Sequence, residues 1–223
     1  MGFVGFNSEI LGIIGVTFRM SLASTFIASV IGTILGLFLE RSRFPGKRVV
    51  VRICRTLMGT PPVVAGLVVY LLLMRRGPFG SWGLLFTVRA MVIAQVLIIT
   101  PIITGMVYMY ASRSAPAIRA FAKTMGANRS QTQLLLIKEM SNEIYFAVIT
   151  AFSRAISEVG AVMIVGGNIQ HKTRTMTTAI SMLRTTGDFT QGIILGILLL
   201  AMAFILQSLS DFFRKGEVPE ENL

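Results

Sequence analysis

A chain of 223 residues that is 53% hydrophobic and only 14% charged, with a mean hydropathy of +0.73, falls outside the composition of water-soluble domains, where about a quarter of residues carry charge. Its formal charge of +11, from 21 Lys+Arg against 10 Asp+Glu, would point to nucleic acid in a soluble protein; in a membrane protein it marks basic residues kept in cytoplasmic loops. A single cysteine, Cys54, and a single histidine, His171, exclude an intrachain disulfide, a Cys/His zinc site and a haem pair within one chain.

Five apolar stretches, residues 20–39, 56–74, 90–112, 144–165 and 189–210, each approach the ~20 residues that cross a bilayer core as a helix. They predict an all-α integral membrane protein, a five-transmembrane-helix bundle forming a single domain over residues 1–223, with no room for a separate soluble catalytic domain. The first ten residues have no basic n-region and contain Glu9, and Phe6 stands where a myristoylation signal needs Ser or Thr, so neither a cleaved leader nor that lipid anchor is expected. The first span itself is expected to direct insertion. Residues 5–19, with Asn7, Glu9 and Arg19, are expected to form an interfacial lead-in, Arg19 snorkelling to the outer surface.

The second span carries Pro61 and Pro62 near its cytoplasmic end and the third carries Pro101 near its middle. Each proline removes a helix N–H and crowds the turn before it, so both spans should be kinked and face neighbouring helices or water. A packing kink and a moving hinge both fit. Between residues 113 and 143 lies a cytoplasmic hairpin: a run from Pro116 to Met125 with Ile118, Phe121, Ala122 and Met125 on one face, a break at Gly126-Ala127-Asn128, and a second run capped by Ser130. Its apolar residues need a partner surface, or else they pack on the bundle or in the headgroup layer.

The fourth span contains Arg154 and Glu158, about 15 and 21 Å from its cytoplasmic start at 1.5 Å per residue. Each would cost about 2.5–3.5 kcal/mol facing lipid, so they must face protein or water. Their spacing places them on one helical face with Ser157 beside them. Either they lock the bundle as a mutual ion pair or they line a wet transport pathway. The external stretch that follows, 166–175, is dense in donors, and Lys172, Arg174 and its threonines would suit an oxyanion, although short basic loops are common and His171 fits a solvated loop. Thirteen basic residues fall on the loops and tail of one side, among them Arg214 and Lys215, and six on the other, which puts the N-terminus outside and the C-terminus in the cytoplasm.

The chain carries no phosphate-binding G-x-x-x-x-G-K-[ST] loop, since Phe44-Pro45-Gly46-Lys47-Arg48 lacks the upstream glycine and the hydroxyl. It also lacks a hydrolase constellation outside the membrane, and Asn128-Arg129-Ser130, a glycosylation pattern, lies on the predicted cytoplasmic side. Energy for active transport must then come from another subunit.

The stretch AFAKTMGANRSQTQLLLIKEM resembles the cytoplasmic EAA loop of permease subunits of type I ATP-binding-cassette importers: Gly126 matches its glycine, Ala122 its second alanine and Leu136 its aliphatic position. Ala120, Phe121 and Lys138-Glu139 depart from the Glu, first Ala and Leu-Pro of that pattern. GTPPVVAGLVVYLLL and SRAISEVGAVMIVGGNIQHKTRTMTTAI resemble the second and fourth spans of molybdate, tungstate and sulfate permeases, and the Ile-Ser-Glu-Val-Gly-Ala and Gly-Gly-Asn-Ile forms are most similar to the tungstate branch. The resemblance implies the type I importer permease fold in a prokaryotic cytoplasmic membrane and a homodimer whose spans 2 to 5 line the pathway. It also implies a pair of cytoplasmic ATPase subunits that bind ATP and Mg, and an extracytoplasmic oxyanion-binding protein; no cofactor is expected on this chain. By that resemblance Ala122, Lys123, Thr124, Met125, Gly126 and Ala127 contact the ATPase. Pro61, Pro62, Arg154, Ser157, Glu158 and Asn168 belong to the pathway or gate, with Pro101 a further hinge candidate. Molybdate or sulfate as cargo, a gated channel or proton-coupled carrier, and a membrane scaffold or enzyme are the competing readings.

Overall fold

The structure is a computed structural model that describes the backbone of residues 2–214 and the side chains of residues 9–208. Lys215 and the side chains of Phe6, Asn7 and Arg214 lie outside the described residues. Nine α-helices form among the described residues: α1 (Gly2–Arg41), α2 (Lys47–Met58), α3 (Pro62–Leu73), α4 (Val88–Thr124), α5 (Arg129–Glu139), α6 (Ser141–Ile156), α7 (Gly160–Gly166), α8 (Met176–Thr186) and α9 (Phe189–Arg214). Three contain stretches long and apolar enough to cross a membrane: 9–41 in α1, 88–124 in α4 and 189–208 in α9. The pairs α2 with α3 and α6 with α7 qualify only jointly, each bent at a short break, so three to five spans are compatible with the fold.

The first, third and fifth predicted spans each lie within one of these continuous helices, and the lead-in before residue 20 is helical and continuous with α1. Packing of α1 on α4 follows from small residues at a spacing of four. Ala28, Gly32 and Gly36 form a stripe on α1, and a Cβ on Gly32 or Gly36 would stand 2.8 Å from Ile103 Cβ or Val107 Cβ. Small residues of this kind let membrane helices approach closely. Around that contact α4 buries Ala90, Ala94, Ile99, Ala111 and Ala115 and also packs on α2, α3, α5, α6 and α7, making it the central helix.

The second and fourth predicted spans are not single helices. Gly59 ends α2 and Pro62 occupies the first turn of α3, where its missing N–H costs nothing and its fixed φ suits helix entry. The two prolines therefore start a helix instead of kinking one, and α2 and α3 meet at 104°. At about 1.5 Å per residue the 12 residues of α3 rise about 18 Å, short of the ~30 Å hydrocarbon core. The fourth span breaks between Ile156 and Gly160, with α6 and α7 at 59°. Pro101 and Pro116 both lie inside α4, so the run from Pro116 to Met125 continues the third span and is not a separate hairpin helix.

The half-helices α3 and α7 pack together where Gly66 meets Ala161: a Cβ on Gly66 would sit 2.6 Å from Ala161 Cα. Backbone cannot yield as a side chain does, so Gly66→Ala is expected to cost about 1–3 kcal/mol of overpacking, read as a lower melting temperature in detergent. Gly196→Ala on α9, where no described residue lies within 4 Å of the added methyl, is the control expected to leave that temperature unchanged or raise it.

Candidate functional site

The break between α6 and α7 creates unpaired backbone groups inside the bundle, and side chains occupy them. Ser157, just past the end of α6, donates its hydroxyl to the Ser153 and Arg154 carbonyls at 3.0 and 3.1 Å. Gln95 of α4, wholly buried, donates Nε2 to the Ala155 carbonyl at 2.7 Å and accepts from the Ser24 hydroxyl of α1 at 2.6 Å. Thr177, in the first turn of α8, donates to the Glu158 carbonyl at 2.8 Å. Side chains of α4 and α8 thus reach the break, α1 holding Gln95 from behind; the Arg154 and Glu158 carbonyls take hydroxyls, while the Ser153 and Ala155 carbonyls also accept the Ser157 and Glu158 N–H groups. Non-helical backbone at membrane depth is tolerated only when its polar groups are met in this way.

Glu158 has two tasks. Its Oε1 accepts the Ala161 N–H at 3.2 Å, capping the start of α7, and its Oε2 takes Arg154 Nη1 at 2.6 Å. The carboxylate side chain is 3% exposed while the Arg154 side chain is 34% exposed, so the pair presents its positive end outward beside the exposed Ser157. Glu158 lies beyond the last residue of α6, so the pair does not arise from two residues on one continuous helix face, as the spacing of four suggests. Val63, next to Pro62, abuts Gly160, which brings the break at Pro61 and Pro62 against the break that holds Glu158. Five of the six residues expected in the pathway, Pro61, Pro62, Arg154, Ser157 and Glu158, therefore gather around two facing chain breaks. Asn168 does not join them: it follows the C-terminus of α7, about 10 Å along the helix axis, with φ of 50° and its Oδ1 buried without a hydrogen-bond partner.

In the donor-rich stretch 166–175, Arg174 pairs with Glu9 at 2.9 Å, Gln170 donates to the same carboxylate oxygen at 3.0 Å, and Thr173 donates to the Gly166 carbonyl at 2.6 Å. Arg174 is therefore engaged by the lead-in helix, while Lys172 stays exposed; the basic residues of this stretch do not converge on one point. Helix α8, which follows, is capped by Thr175 with Thr178 in a reciprocal box.

At the opposite end, α4 closes with Gly126 at φ 71°, Ala127 N–H bonding the Ala122 carbonyl at 2.9 Å and Gly126 N–H bonding Lys123 at 3.1 Å. This is a Schellman ending, and Asn128, not Ser130, caps α5, with Gln131 returning a hydrogen bond to the Asn128 N–H. The turn is capped at both ends. Ala122 is buried whereas Phe121 and Met125 are exposed, so the four apolar residues expected on one face divide: Ala122 faces the bundle and Phe121 and Met125 face away. Arg119, one turn back along α4, holds Glu40 of α1 by two hydrogen bonds of 2.9 and 2.5 Å, fastening the hairpin to the first helix.

Gln95, Ser24, Thr177 and Glu9 were missed by sequence reasoning. Gln95 is the one large polar side chain in its apolar stretch, and Glu9 stands out as a charge in the lead-in; nothing in the local sequence marks Ser24 or Thr177.

The family model for the binding-protein-dependent transport system inner membrane component matches residues 28–216. The chain is 42% identical over 205 residues, 92% of its length and 90% of the relative's, to the tungstate uptake system permease protein TupB of Peptoclostridium acidaminophilum. It is 38% identical over 211 residues, again 92% and 90% of the two chains, to a probable anion ABC transporter permease protein of Haloferax volcanii. Identity to the sulfate transport system permease protein CysT of Escherichia coli is 26% over 200 residues, covering 85% of this chain and 72% of that one. Among solved structures, the crystal structure of an amino acid ABC transporter with histidines superposes with a TM-score of 0.71 at 16% identity, covering 95% of each chain, a likeness of fold.

Proposed function

Because the chain belongs to the family of inner membrane components of binding-protein-dependent transport systems, we propose that it is the permease of an ATP-driven oxyanion importer and that its cargo is tungstate. The observation that carries the cargo is the 42% identity over nearly the whole chain to a tungstate permease, against 26% to a sulfate permease. In this reading the chain crosses the inner membrane five times, each bent pair counting as one span, with the N-terminus outside. Residues 1–223 act as one permease domain, two copies of it enclose the pathway, and the facing breaks around Glu158 and Pro62 line it. A second copy or pathway water also relieves a cost: Arg154, one-third exposed, would lose about 2.5–3.5 kcal/mol against lipid. ATP and Mg bind the partner ATPase, whose closure moves the turn from Ala122 to Ala127 and rocks the two copies between inward-open and outward-open states. An extracytoplasmic binding protein delivers the anion.

Reconstitution with the ATPase and the binding protein tests this reading. Hydrolysis is expected to rise about tenfold when the binding protein carries tungstate, less with molybdate and least with sulfate. Hydrolysis that ignores the bound anion refutes the importer. Anion flux through the chain without an ATPase makes it a gated channel or proton-coupled carrier, the reading that an intramembrane ion pair would otherwise favour.

A further inference from the structure

Where α1 turns into α2 the chain folds around a cavity of about 890 Å³ walled by Arg43, Lys47, Arg48, Arg52, Arg55 and Tyr108. Among the described residues, no carboxylate lines it. Lys47 is used by the fold itself: its ammonium donates to the Glu40 and Ser42 carbonyls, both at 3.0 Å, and lies 5.5 Å from the centre of the Tyr108 ring. The four arginines form no ion pair among the described residues, and Glu40, the carboxylate closest in sequence, is held by Arg119. Guanidinium groups gathered round one space without a counter-charge repel one another, and an anion in that space removes the repulsion.

The surroundings say which anion. Around α2, Val51, Cys54 and Met58 turn towards α4, where the Cys54 thiol meets the Pro101 carbonyl at 3.6 Å and Met58 fills the space over Gly105. Arg48, Arg52 and Arg55, at spacings of four and three, form a second face. Val49, Ile53 and Leu57 form a third, and all three are exposed. α2 opens the second crossing, is bent 104° from the apolar α3, and carries one basic face and one exposed apolar face, the pattern of a segment that enters the membrane through its interface. A free dianion would use the arginines alone. A phospholipid uses both, its phosphate among the guanidiniums, which suit bidentate contact with phosphate oxygens, and its acyl chains beside the valine and isoleucine face.

We propose that this cavity is a phosphate site filled by the headgroup of an anionic phospholipid. The inference rests on membrane embedding and not on the importer reading, so either can fail alone. The test is native mass spectrometry of the full-length chain purified in mild detergent, offered phosphatidylglycerol or phosphatidylcholine with identical acyl chains. Wild type is expected to retain about tenfold more phosphatidylglycerol, and R48Q/R52Q/R55Q to lose that preference while keeping its melting temperature in phosphatidylcholine nanodiscs. R52Q alone, safer to express, is expected to lower retention about fivefold. Equal retention of the two lipids by wild type, or wild-type retention by R52Q and the triple variant, overturns the site. A third arm adds millimolar inorganic phosphate: its binding with arginine dependence but without any lipid preference assigns the cavity to a free oxyanion and overturns the lipid.

Discussion

Replacing Glu158 by leucine is expected to abolish anion uptake, lowering it about a hundredfold or more, and to destabilise the protein by about 3 kcal/mol. That figure is at the low end of the range for breaking a buried ion pair, because Arg154 keeps a third of its surface exposed. Leucine removes both functions of the carboxylate, the charge that holds Arg154 and the acceptor that caps α7 through Ala161 N–H. Glu158→Gln separates them: the amide oxygen still accepts the N–H, so most of the stability is expected to return, while Arg154 is left with a neutral partner. The double variant Arg154→Met/Glu158→Gln then discriminates between locking and transport. If the pair only fastens the break, the double variant regains uptake with stability; if the outward guanidinium edge faces the anion, it regains stability alone. Uptake and melting temperature unchanged in Glu158→Leu would refute both roles. Thermal unfolding in detergent and uptake into vesicles are the two measurements.

The same residues mark where the sequence was legible. Continuous spans were found because hydrophobicity and length suffice for α1, α4 and α9, each of which satisfies its own backbone. Hydropathy does not register a break made inside an apolar stretch. At residues 59–62 the signal was present but read as a kink, since a proline pair preceded by Gly and Thr ends one helix and opens the next. At residues 157–160 a serine and a glutamate that bond nearby backbone compete with the helix, and a glycine follows. The partners that make this break stable, Gln95 and Thr177, are 60 or fewer positions away in sequence yet belong to other helices, and no local pattern encodes such pairing. Arg154 and Glu158 do pair at a spacing of four, but Glu158 lies two residues past the end of α6, so the pair joins the helix to the break instead of running along one continuous face. In the hairpin, Asn128 prevails over Ser130 as cap because Gln131 stands three residues after it and completes the reciprocal box.

Gly126→Trp is expected to lower uptake about tenfold or more while the protein still inserts and melts within a few degrees of wild type. Gly126 sits at φ 71°, where a side chain costs about 1–2 kcal/mol, and that strain falls on a turn at the end of the hairpin, outside the core. Among the described residues nothing lies within 4 Å of a Cβ there, so the indole projects into the space next to Phe121 and Met125, which are 59% and 72% exposed. Any loss of transport beyond that of Gly126→Ala, which bears the same backbone strain without the bulk, must therefore arise in whatever covers the turn. The readout that identifies the cover is ATP hydrolysis by the reconstituted complex: with tryptophan, hydrolysis should cease to respond to loaded binding protein, and with alanine the response should persist. Arg119→Ala leaves the turn intact but releases the hairpin from Glu40, so it should preserve ATPase binding and weaken the response, as expected of a lever with a loosened fulcrum. Normal uptake in Gly126→Trp would exclude this turn as the point of contact, because a bulky ring cannot share a filled interface without displacing it.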